Sequence, residues 1–212
     1  MLLDKGSRLL MIGDSITDCG RGRLQKNDQD LGDGYVDIIA KRLRKNPEGQ
    51  ISILNSGISG HRIADLKLRW ERDVLAWKPD HLFIFIGIND VWRHFDASCT
   101  VRQISREEYA AVYKELIRTS RQRLSLKSLG LVSPYYLEPD RLNPMRRMMD
   151  EYRREVKRLS MAYGTLYADV QEAFDDFMQK YGWKCISDDR IHVNRRGHEC
   201  IAECILGAAG IE

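Results

Sequence analysis

The 212-residue sequence predicts an α/β protein, a three-layer α/β/α sandwich around a mainly parallel sheet. Short apolar runs with the length and composition of buried strands occur at residues 8–12, 51–54, 81–86, 129–133 and 165–168. Longer amphipathic segments separate these runs, and strands that alternate with helices join through right-handed crossovers into a parallel sheet covered on both faces. Because no linker or repeat interrupts the pattern, we expect one domain over residues 1–212.

Apolar residues at helical spacing predict the helices between the strands. They recur within residues 36–43 after the first strand, 63–77 after the second and 109–120 after the third. Ser105 with Glu108 fits a capping box, and Asn143 followed by Pro144 fits an N-cap and first turn. Asn194 is placed to cap the last helix.

Composition narrows the function classes. The net charge of +3 arises from 34 basic and 31 acidic residues mixed along the chain, so no nucleic-acid partner is expected. The basic stretch 146–158 is interrupted by acidic residues and predicts a solvated helix face. No apolar run approaches the roughly 18 residues of a membrane span, and the start lacks a signal-peptide pattern, so we expect a cytoplasmic protein without a membrane partner.

The five cysteines and five histidines show no metal-ligand spacing. There is no CxxC pair and no H-E-x-x-H pattern, so we predict no metal and no cofactor. Cys200 and Cys204 lie four residues apart on a predicted helix, where small buried thiols are the simplest interpretation. We assign no cysteine a catalytic role, and His198 is expected to pack or to lie on the surface.

Chemistry-bearing residues follow the predicted strands. Ser15 follows the first strand, Gly57 the second and Asn89 the third, while Asp189 and His192 precede the last helix. Open parallel sheets bind ligands at the carboxyl ends of their strands, near the switch point in strand order. The sequence therefore predicts that these five residues meet at one edge.

Together they have the residue types of a serine hydrolase. A serine hydroxyl attacks an acyl carbon when a histidine takes its proton, and a carboxylate must hold the other ring nitrogen. Ser15, His192 and Asp189 fit these roles, and the three-residue spacing favours Asp189 over its neighbour Asp188, which is an alternative partner. The Gly13-Asp14-Ser15-Ile16-Thr17 segment lacks the G-x-S-x-G elbow of α/β-hydrolases.

An oxyanion requires hydrogen-bond donors aimed at the position where charge develops. The main-chain N–H groups of Ser15 and Gly57 and the side-chain amide of Asn89 are the predicted donors. For Gly57 and Asn89 a turn-forming role is the alternative.

Four blocks resemble those of the SGNH hydrolases, also called the GDSL esterase family. They contain Ser15, Gly57, Asn89 and the Asp189-x-x-His192 pair, in the family order and across nearly the whole chain. The resemblance implies a flavodoxin-like sandwich with five parallel strands. It also implies Ser15 as nucleophile, His192 as base, Asp189 as its partner, and an oxyanion hole of Ser15, Gly57 and Asn89.

The segments 13–21, 87–93 and 144–150 are further similar to intracellular bacterial acetylxylan esterases. This likeness implies O-deacetylation of acetylated xylo-oligosaccharides and assembly into a homo-oligomer. Asp188 and Val193 depart from the subgroup pattern, in which an aromatic residue and a proline are common. Trp92 and Arg93 are candidates for sugar stacking and polar anchoring, and core packing of Trp92 with local pairing of Arg93 is the alternative.

Two other functions compete with a carbohydrate acetylesterase. A lipid or thioester hydrolase on the same scaffold would need a long apolar acyl channel. A non-catalytic module that holds a phosphate at the first strand would have no use for Asp189 and His192 at their spacing.

Overall fold

The computed structural model describes residues 4–22, 30–45 and 51–211. Its strands are β1 Arg8–Gly13, β2 Ser52–Gly57, β3 His81–Phe85, β4 Ser128–Val132 and β5 Leu166–Ala168. They form a sheet of order β2-β1-β3-β4-β5 in which every neighbouring pair is parallel. This confirms the predicted flavodoxin-like sheet of five parallel strands.

Strand β2 differs most from its prediction, and the difference lies at its end. The apolar pattern of β2 stops at residue 54, but the strand continues to Gly57. Asn55, Ser56 and Gly57 are buried although two are polar and one has no side chain, and they pair with residues 11–13 of β1. A buried polar end of a strand is invisible to an apolar pattern, and it marks the edge where the site lies.

The described helices cover both faces of this sheet. They are α1 Ser15–Asp18, α2 Tyr35–Leu43, α3 Ile63–Trp70, α4 Ile88–Trp92, α5 Arg106–Arg123, α6 Pro144–Tyr163, α7 Val170–Tyr181 and α8 Arg195–Ala208. Helix α8 packs against α2 and α7, while α5 packs against α3 and α6. These two groups form the outer layers of the predicted sandwich.

The predicted helix starts are found where the sequence places them. Ser105 Oγ accepts the N–H of Glu108 at 3.2 Å before α5. Asn143 Oδ1 accepts the N–H of Met145 at 3.0 Å, with Pro144 as the first residue of α6. Asn194 Oδ1 accepts the N–H of Arg196 at 3.1 Å and so caps α8.

The switch point in strand order lies between β1 and β3, where successive connections leave in opposite directions along the sheet. Helix α1 follows β1 directly and begins at Ser15, while α4 follows β3 and contains Asn89. The fold therefore delivers two candidate residues to the crevice at which open parallel sheets bind ligands.

The expectation of a solvated basic face on α6 is wrong for Arg146. Its side chain is completely buried, and its guanidinium donates to Asp175 at 2.8 and 2.7 Å and to Asp150 at 3.2 Å. Burying a guanidinium is tolerable only when its donors are satisfied, as they are here.

Among the described helices, none combines the length and the apolar character needed to cross a membrane. The expectation about a signal peptide depends in part on residues 1–3, which lie outside the described residues.

Candidate active site

The two ends of the chain meet at the carboxyl edge of the sheet. Ser15 Oγ lies 3.1 Å from His192 Nε2, although 177 positions separate the two residues in the sequence. His192 Nδ1 lies 2.7 Å from Asp189 Oδ2. The structure therefore places the predicted hydroxyl, imidazole and carboxylate in one hydrogen-bonded series.

Ser15 owes its position to the abrupt change from strand to helix. Asp14 ends the extended backbone of β1 and caps α1, with its Oδ1 accepting the N–H of Ile16 at 3.0 Å. Gly13 has no room for a side chain, since a Cβ there would lie 2.3 Å from the carbonyl oxygen of Phe85 and from Thr17 Oγ1. This tight turn presents Ser15 at the edge instead of within the core.

A compact loop holds the acid and the base together. Asp189 Oδ1 accepts the N–H groups of Ile191 at 2.9 Å and His192 at 2.7 Å. Ser187 Oγ donates to the carbonyl of His192 at 2.8 Å, and Ser187 pairs with Val193 in an isolated antiparallel bridge. The loop closes on itself through these bonds, so the positions of the carboxylate and the ring are coupled.

The loop is also attached to the segment after β4. The N–H of Leu137 donates to the carbonyl of Arg190 at 3.0 Å, and the Tyr135 hydroxyl donates to the carbonyl of Ile191 at 2.7 Å. Arg190 has a positive φ of 67° and forms an ion pair with the buried Glu138. These contacts fix the loop that contains Asp189 and His192 to the body of the domain.

The charge state of Asp189 determines the direction of the hydrogen bonds. Although partial burial opposes it, the hydrogen bonds from the His192 ring and from the N–H groups of Ile191 and His192 hold the pKa of Asp189 below its ordinary value. A carboxylate only accepts hydrogen bonds, so His192 Nδ1 carries a proton and donates it. His192 Nε2 is then an acceptor that faces the Ser15 hydroxyl.

Asp188, the alternative partner, and Asp189 are both exposed, but Asp189 contacts the His192 ring. Within the part of the chain that the structure describes, the His192 ring pairs with Asp189 and not with Asp188. The geometry thus favours Asp189, as the spacing predicted.

Asn89 lies in the first turn of α4 with its side chain buried. Its Nδ2 donates to the carbonyl of His61 at 3.1 Å, which fixes the orientation of the amide. A carboxamide has two N–H donors, so one N–H of Asn89 remains for a ligand.

The role predicted for Gly57 needs correction. The Gly57 N–H already donates to Asn55 Oδ1 at 2.9 Å and is not available to an oxyanion. Instead, a Cβ at this position would lie 2.1 Å from the main-chain nitrogen of Asp18, so the residue is glycine because α1 packs directly on it. The position supports the Ser15 helix by close backbone contact.

In the same loop, Gly60 is a better candidate than Gly57 for the main-chain donor to an oxyanion. It has a φ of +80°, open space where a Cβ would stand, and an N–H for which the described residues provide no hydrogen-bond partner. Its neighbour Ser59 lines the same cavity as Ser15. The Asn55-Ser56-Gly57-Ile58-Ser59-Gly60 segment contains both glycines, but loop conformation, which the sequence pattern does not give, distinguishes them.

Trp92 and Arg93 are paired with each other. The Arg93 guanidinium carbon lies 4.5 Å from the centre of the Trp92 ring, and Nη1 donates to Asp96 at 2.9 Å. Both side chains are half-buried, and neither lines the cavity that contains Ser15. Local pairing of Arg93 is thus observed.

A cavity of about 370 Å³ opens beside the Ser15 hydroxyl. Its lining residues are Ser15, Ile16, Cys19, Gly20, Asp33, Ser59, His192, Val193 and His198. The sequence assigned Cys19 and His198 no catalytic role, yet Cys19 Sγ lies 3.1 Å from His198 Nε2. Only the fold brings these residues together, since 179 positions separate them.

Among the described residues, no group of three or more histidine, cysteine or acidic side chains is arranged to hold a metal ion.

The parallel sandwich and the serine, histidine and aspartate at its edge define a hydrolase of the serine type. The chain belongs to the GDSL-like lipase/acylhydrolase family, whose model matches residues 11–200. This confirms the resemblance that the sequence blocks predicted.

Individual relatives are similar over the whole chain. An acetylxylan esterase from Geobacillus stearothermophilus is 39% identical over 216 residues, which cover 100% of this chain and 98% of the relative. A crystal structure of an acetylxylan esterase from Geobacillus stearothermophilus has a TM-score of 0.92 at 38% identity, covering 100% of this chain and 98% of its own. An alpha/beta hydrolase enzyme from the metagenome of Lake Arreo, Spain, has a TM-score of 0.91 at 40% identity, covering 98% of this chain and 96% of its own.

Similar structures include catalytic mutants of the Geobacillus esterase in which a serine, an aspartate or a histidine is changed to alanine. The same three residue types form the hydrogen-bonded series described above.

Proposed function

We propose that this protein is a serine esterase that removes O-acetyl groups from carbohydrate esters such as acetylated xylo-oligosaccharides. The observation that carries the proposal is the series from Ser15 Oγ through His192 to Asp189, with separations of 3.1 and 2.7 Å, at the edge of the sheet. The acetylxylan esterase that matches the whole chain supports the substrate class.

In the first half-reaction, Ser15 Oγ attacks the carbonyl carbon of the ester while its proton passes to His192 Nε2. Asp189 accepts from Nδ1 throughout and stabilises the imidazolium that forms. The oxyanion is stabilised by the N–H groups of Ser15, Asn89 Nδ2 and Gly60. Collapse breaks the bond to the sugar oxygen, which takes the proton from His192 and leaves as a hydroxyl, and the acetyl group remains on Ser15.

The second half-reaction repeats these steps with water. His192 removes a proton from the water as the water oxygen attacks the acetyl carbon of the acyl-enzyme. The intermediate releases acetate, and Ser15 regains its proton from His192. Two chemical steps through a covalent intermediate predict ping-pong kinetics.

The cavity favours a short acyl group over a long one. Its volume of about 370 Å³ is near the lower end for small-molecule sites, and polar side chains such as Asp33 and Ser59 line it. Ile16 and Val193 are its branched aliphatic residues, whereas a lipid or thioester hydrolase would need a continuous apolar channel. The lining therefore favours the acetylesterase.

Acetate release from acetylated xylo-oligosaccharides, followed by NMR, tests the proposal. Native protein and the control variant Ser98→Ala, which changes an exposed serine, should release acetate, and Ser15→Ala should not. Full activity in Ser15→Ala would refute the serine mechanism. A series of p-nitrophenyl esters distinguishes the alternative, since rates that rise from acetyl to octanoyl would identify a lipid or thioester hydrolase.

The protein is also expected to assemble into a homo-oligomer. Light scattering on the purified protein over a range of concentrations should then give a mass above that of one chain.

Sugar contact through Trp92 and Arg93 predicts that Trp92→Ala raises KM for the oligosaccharide but not for p-nitrophenyl acetate.

A further inference from the structure

We propose that Cys19 is a thiol-modification site, and that a small disulfide or sulfenylating reagent bound covalently there blocks the cavity of Ser15. The consequence for activity rests on the proposed function. The modification itself rests on the geometry of Cys19, His198 and the cavity.

Cys19 lies next to the nucleophile. It ends α1 with a left-handed backbone of φ 35°, and its N–H donates to the carbonyl of Ser15 at 2.9 Å. Cys19 lines the same cavity as Ser15 and His192 and is half-buried, so a reagent that enters the site meets this thiol.

His198 is arranged as a donor to the sulfur. The main-chain N–H of Tyr35 donates to His198 Nδ1 at 3.3 Å, and the two rings stack with their centres 6.4 Å apart. Nδ1 is therefore an acceptor, and the proton of the neutral ring resides on Nε2, which lies 3.1 Å from Cys19 Sγ.

The His198 ring is neutral near pH 7. Burial, with smaller contributions from the Arg195 and His192 charges, lowers the pKa of His198 to about 4. An N–H donor directed at sulfur stabilises the thiolate, which is the reactive form of a cysteine.

The backbone opposite Cys19 restricts where an adduct can go. A Cβ built on Gly34 would lie 2.7 Å from Cys19 Cβ, 2.9 Å from Sγ and 3.0 Å from His198 Cε1. The pair therefore fills the space on the side of Gly34. Cys19 also lines the cavity, so a group attached to Sγ on that side occupies the volume that an acyl group at Ser15 needs.

The other cysteines provide internal comparisons. Burial raises the pKa of Cys200 to about 11 and that of Cys204 to about 12, so these thiols are protonated near pH 7. Cys185 is exposed and its Sγ donates to the carbonyl of Tyr181 at 3.0 Å, while Cys99 is half-buried. None of these four lines the Ser15 cavity.

Methyl methanethiosulfonate is a suitable probe. The Cys19 thiol loses its proton to solvent, and its sulfur attacks the sulfenyl sulfur of the reagent. An S–S bond to a methylthio group forms, and methanesulfinate leaves. Dithiothreitol reverses the step: it is oxidised to its cyclic disulfide, methanethiol leaves, and Cys19 is reduced to the thiol.

The experiment compares native protein, Cys19→Ala and the matched control Cys185→Ser, each relative to its own untreated rate on p-nitrophenyl acetate. Native protein and Cys185→Ser should lose about tenfold or more in rate and recover with dithiothreitol, while Cys19→Ala should not respond. Equal inactivation of Cys19→Ala, or full activity in native protein whose Cys19 is shown by peptide mass to be modified, overturns the proposal.

Two measurements keep this test independent of the substrate and of variant folding. Labelling of Ser15 by a fluorophosphonate should fall in native protein after modification of Cys19, even if no sugar ester is hydrolysed. His198→Phe, which keeps an aromatic ring but removes the N–H donor, should slow methylthiolation of Cys19 by about tenfold. An unchanged labelling rate in a folded His198→Phe overturns the role of the pair.

Discussion

One carboxylate holds His192 at two points. Asp189 Oδ2 lies 2.7 Å from the ring nitrogen Nδ1, and Asp189 Oδ1 accepts the main-chain N–H of His192 at the same distance. The backbone bond fixes where the residue stands, and the ring bond fixes its tautomer and rotation. A three-residue spacing is what makes both bonds possible, because a single tight turn brings the side chain back over its own loop.

Asp189→Asn tests the hydrogen bond between Asp189 and the ring of His192. The remaining carbonyl oxygen preserves the main-chain contacts, but the new amide beside Nδ1 donates and imposes the wrong tautomer on His192. We expect kcat to fall by about 10³-fold or more with little change in KM. Steady-state kinetics on p-nitrophenyl acetate measure kcat and KM. Asp188→Asn is the matched control, and its kcat is expected within about threefold of the native value. An equal loss in Asp188→Asn would contradict the assignment.

Asn89→Ala tests the oxyanion donor. The substitution removes the amide that the His61 carbonyl orients, so the loss should appear in the transition state and not in substrate binding. We expect kcat to fall by about 10²- to 10³-fold at nearly constant KM. Asn143→Ala removes an asparagine of the α6 cap and should lower stability by about 1 kcal/mol without this loss of kcat. A native kcat in Asn89→Ala would remove the amide from the mechanism.

Substitution of Gly57 and of Gly60 by alanine should lower the free energy of unfolding by different amounts. A methyl group at Gly57 meets the Asp18 nitrogen at 2.1 Å, whereas Gly60 has open space and only the strain of its φ of +80°. We expect Gly57→Ala to lower the free energy of unfolding by about 3 kcal/mol and Gly60→Ala by about 1–2 kcal/mol. Urea denaturation of both variants gives the comparison. Equal losses would show that α1 does not depend on contact with Gly57.

Local signals account for what the sequence predicted correctly. Apolar runs defined the strands, and capping residues defined the starts of α5, α6 and α8. The pair Asp189 and His192 was predictable because its geometry belongs to one turn. Ser15 could be joined to it because parallel strands deliver their carboxyl ends to a common edge.

What the sequence did not predict depends on contacts between distant segments or on loop conformation. Gly57 was predicted as an oxyanion donor because a glycine pattern does not show that its N–H is already engaged by Asn55. The spacing of Cys19 and His198 in the sequence is uninformative, since 179 positions separate them and only the fold brings them into contact. The burial of Arg146 was not predicted, because one of its two acidic partners, Asp175, lies on another helix, and Asp150 alone is also typical of an exposed pair.

A buried acid, Asp90, lies beside the site residue Asn89. Asp90 is fully buried, and its two carboxyl oxygens lie 3.1 and 3.2 Å from the N–H of Ile63. Burial raises the pKa of Asp90 from 3.8 to about 8, opposed in part by the Ile63 hydrogen bond. The folded protein therefore retains a proton on this side chain that the unfolded chain releases in mild acid.

The protonated Asp90 side chain makes the free energy of unfolding depend on pH. Its contribution to stability is fully present below the unfolded pKa of 3.8 and is lost as the pH rises through the folded pKa of about 8. Each pH unit in that window costs about 1.4 kcal/mol for this one group. Because Asp90→Asn cannot titrate, its free energy of unfolding should fall less steeply than that of native protein between about pH 5 and pH 8. Urea denaturation across this range measures both slopes. The exposed control Asp188→Asn should follow the native curve, and parallel curves for native protein and Asp90→Asn would show that Asp90 is already ionised in the fold.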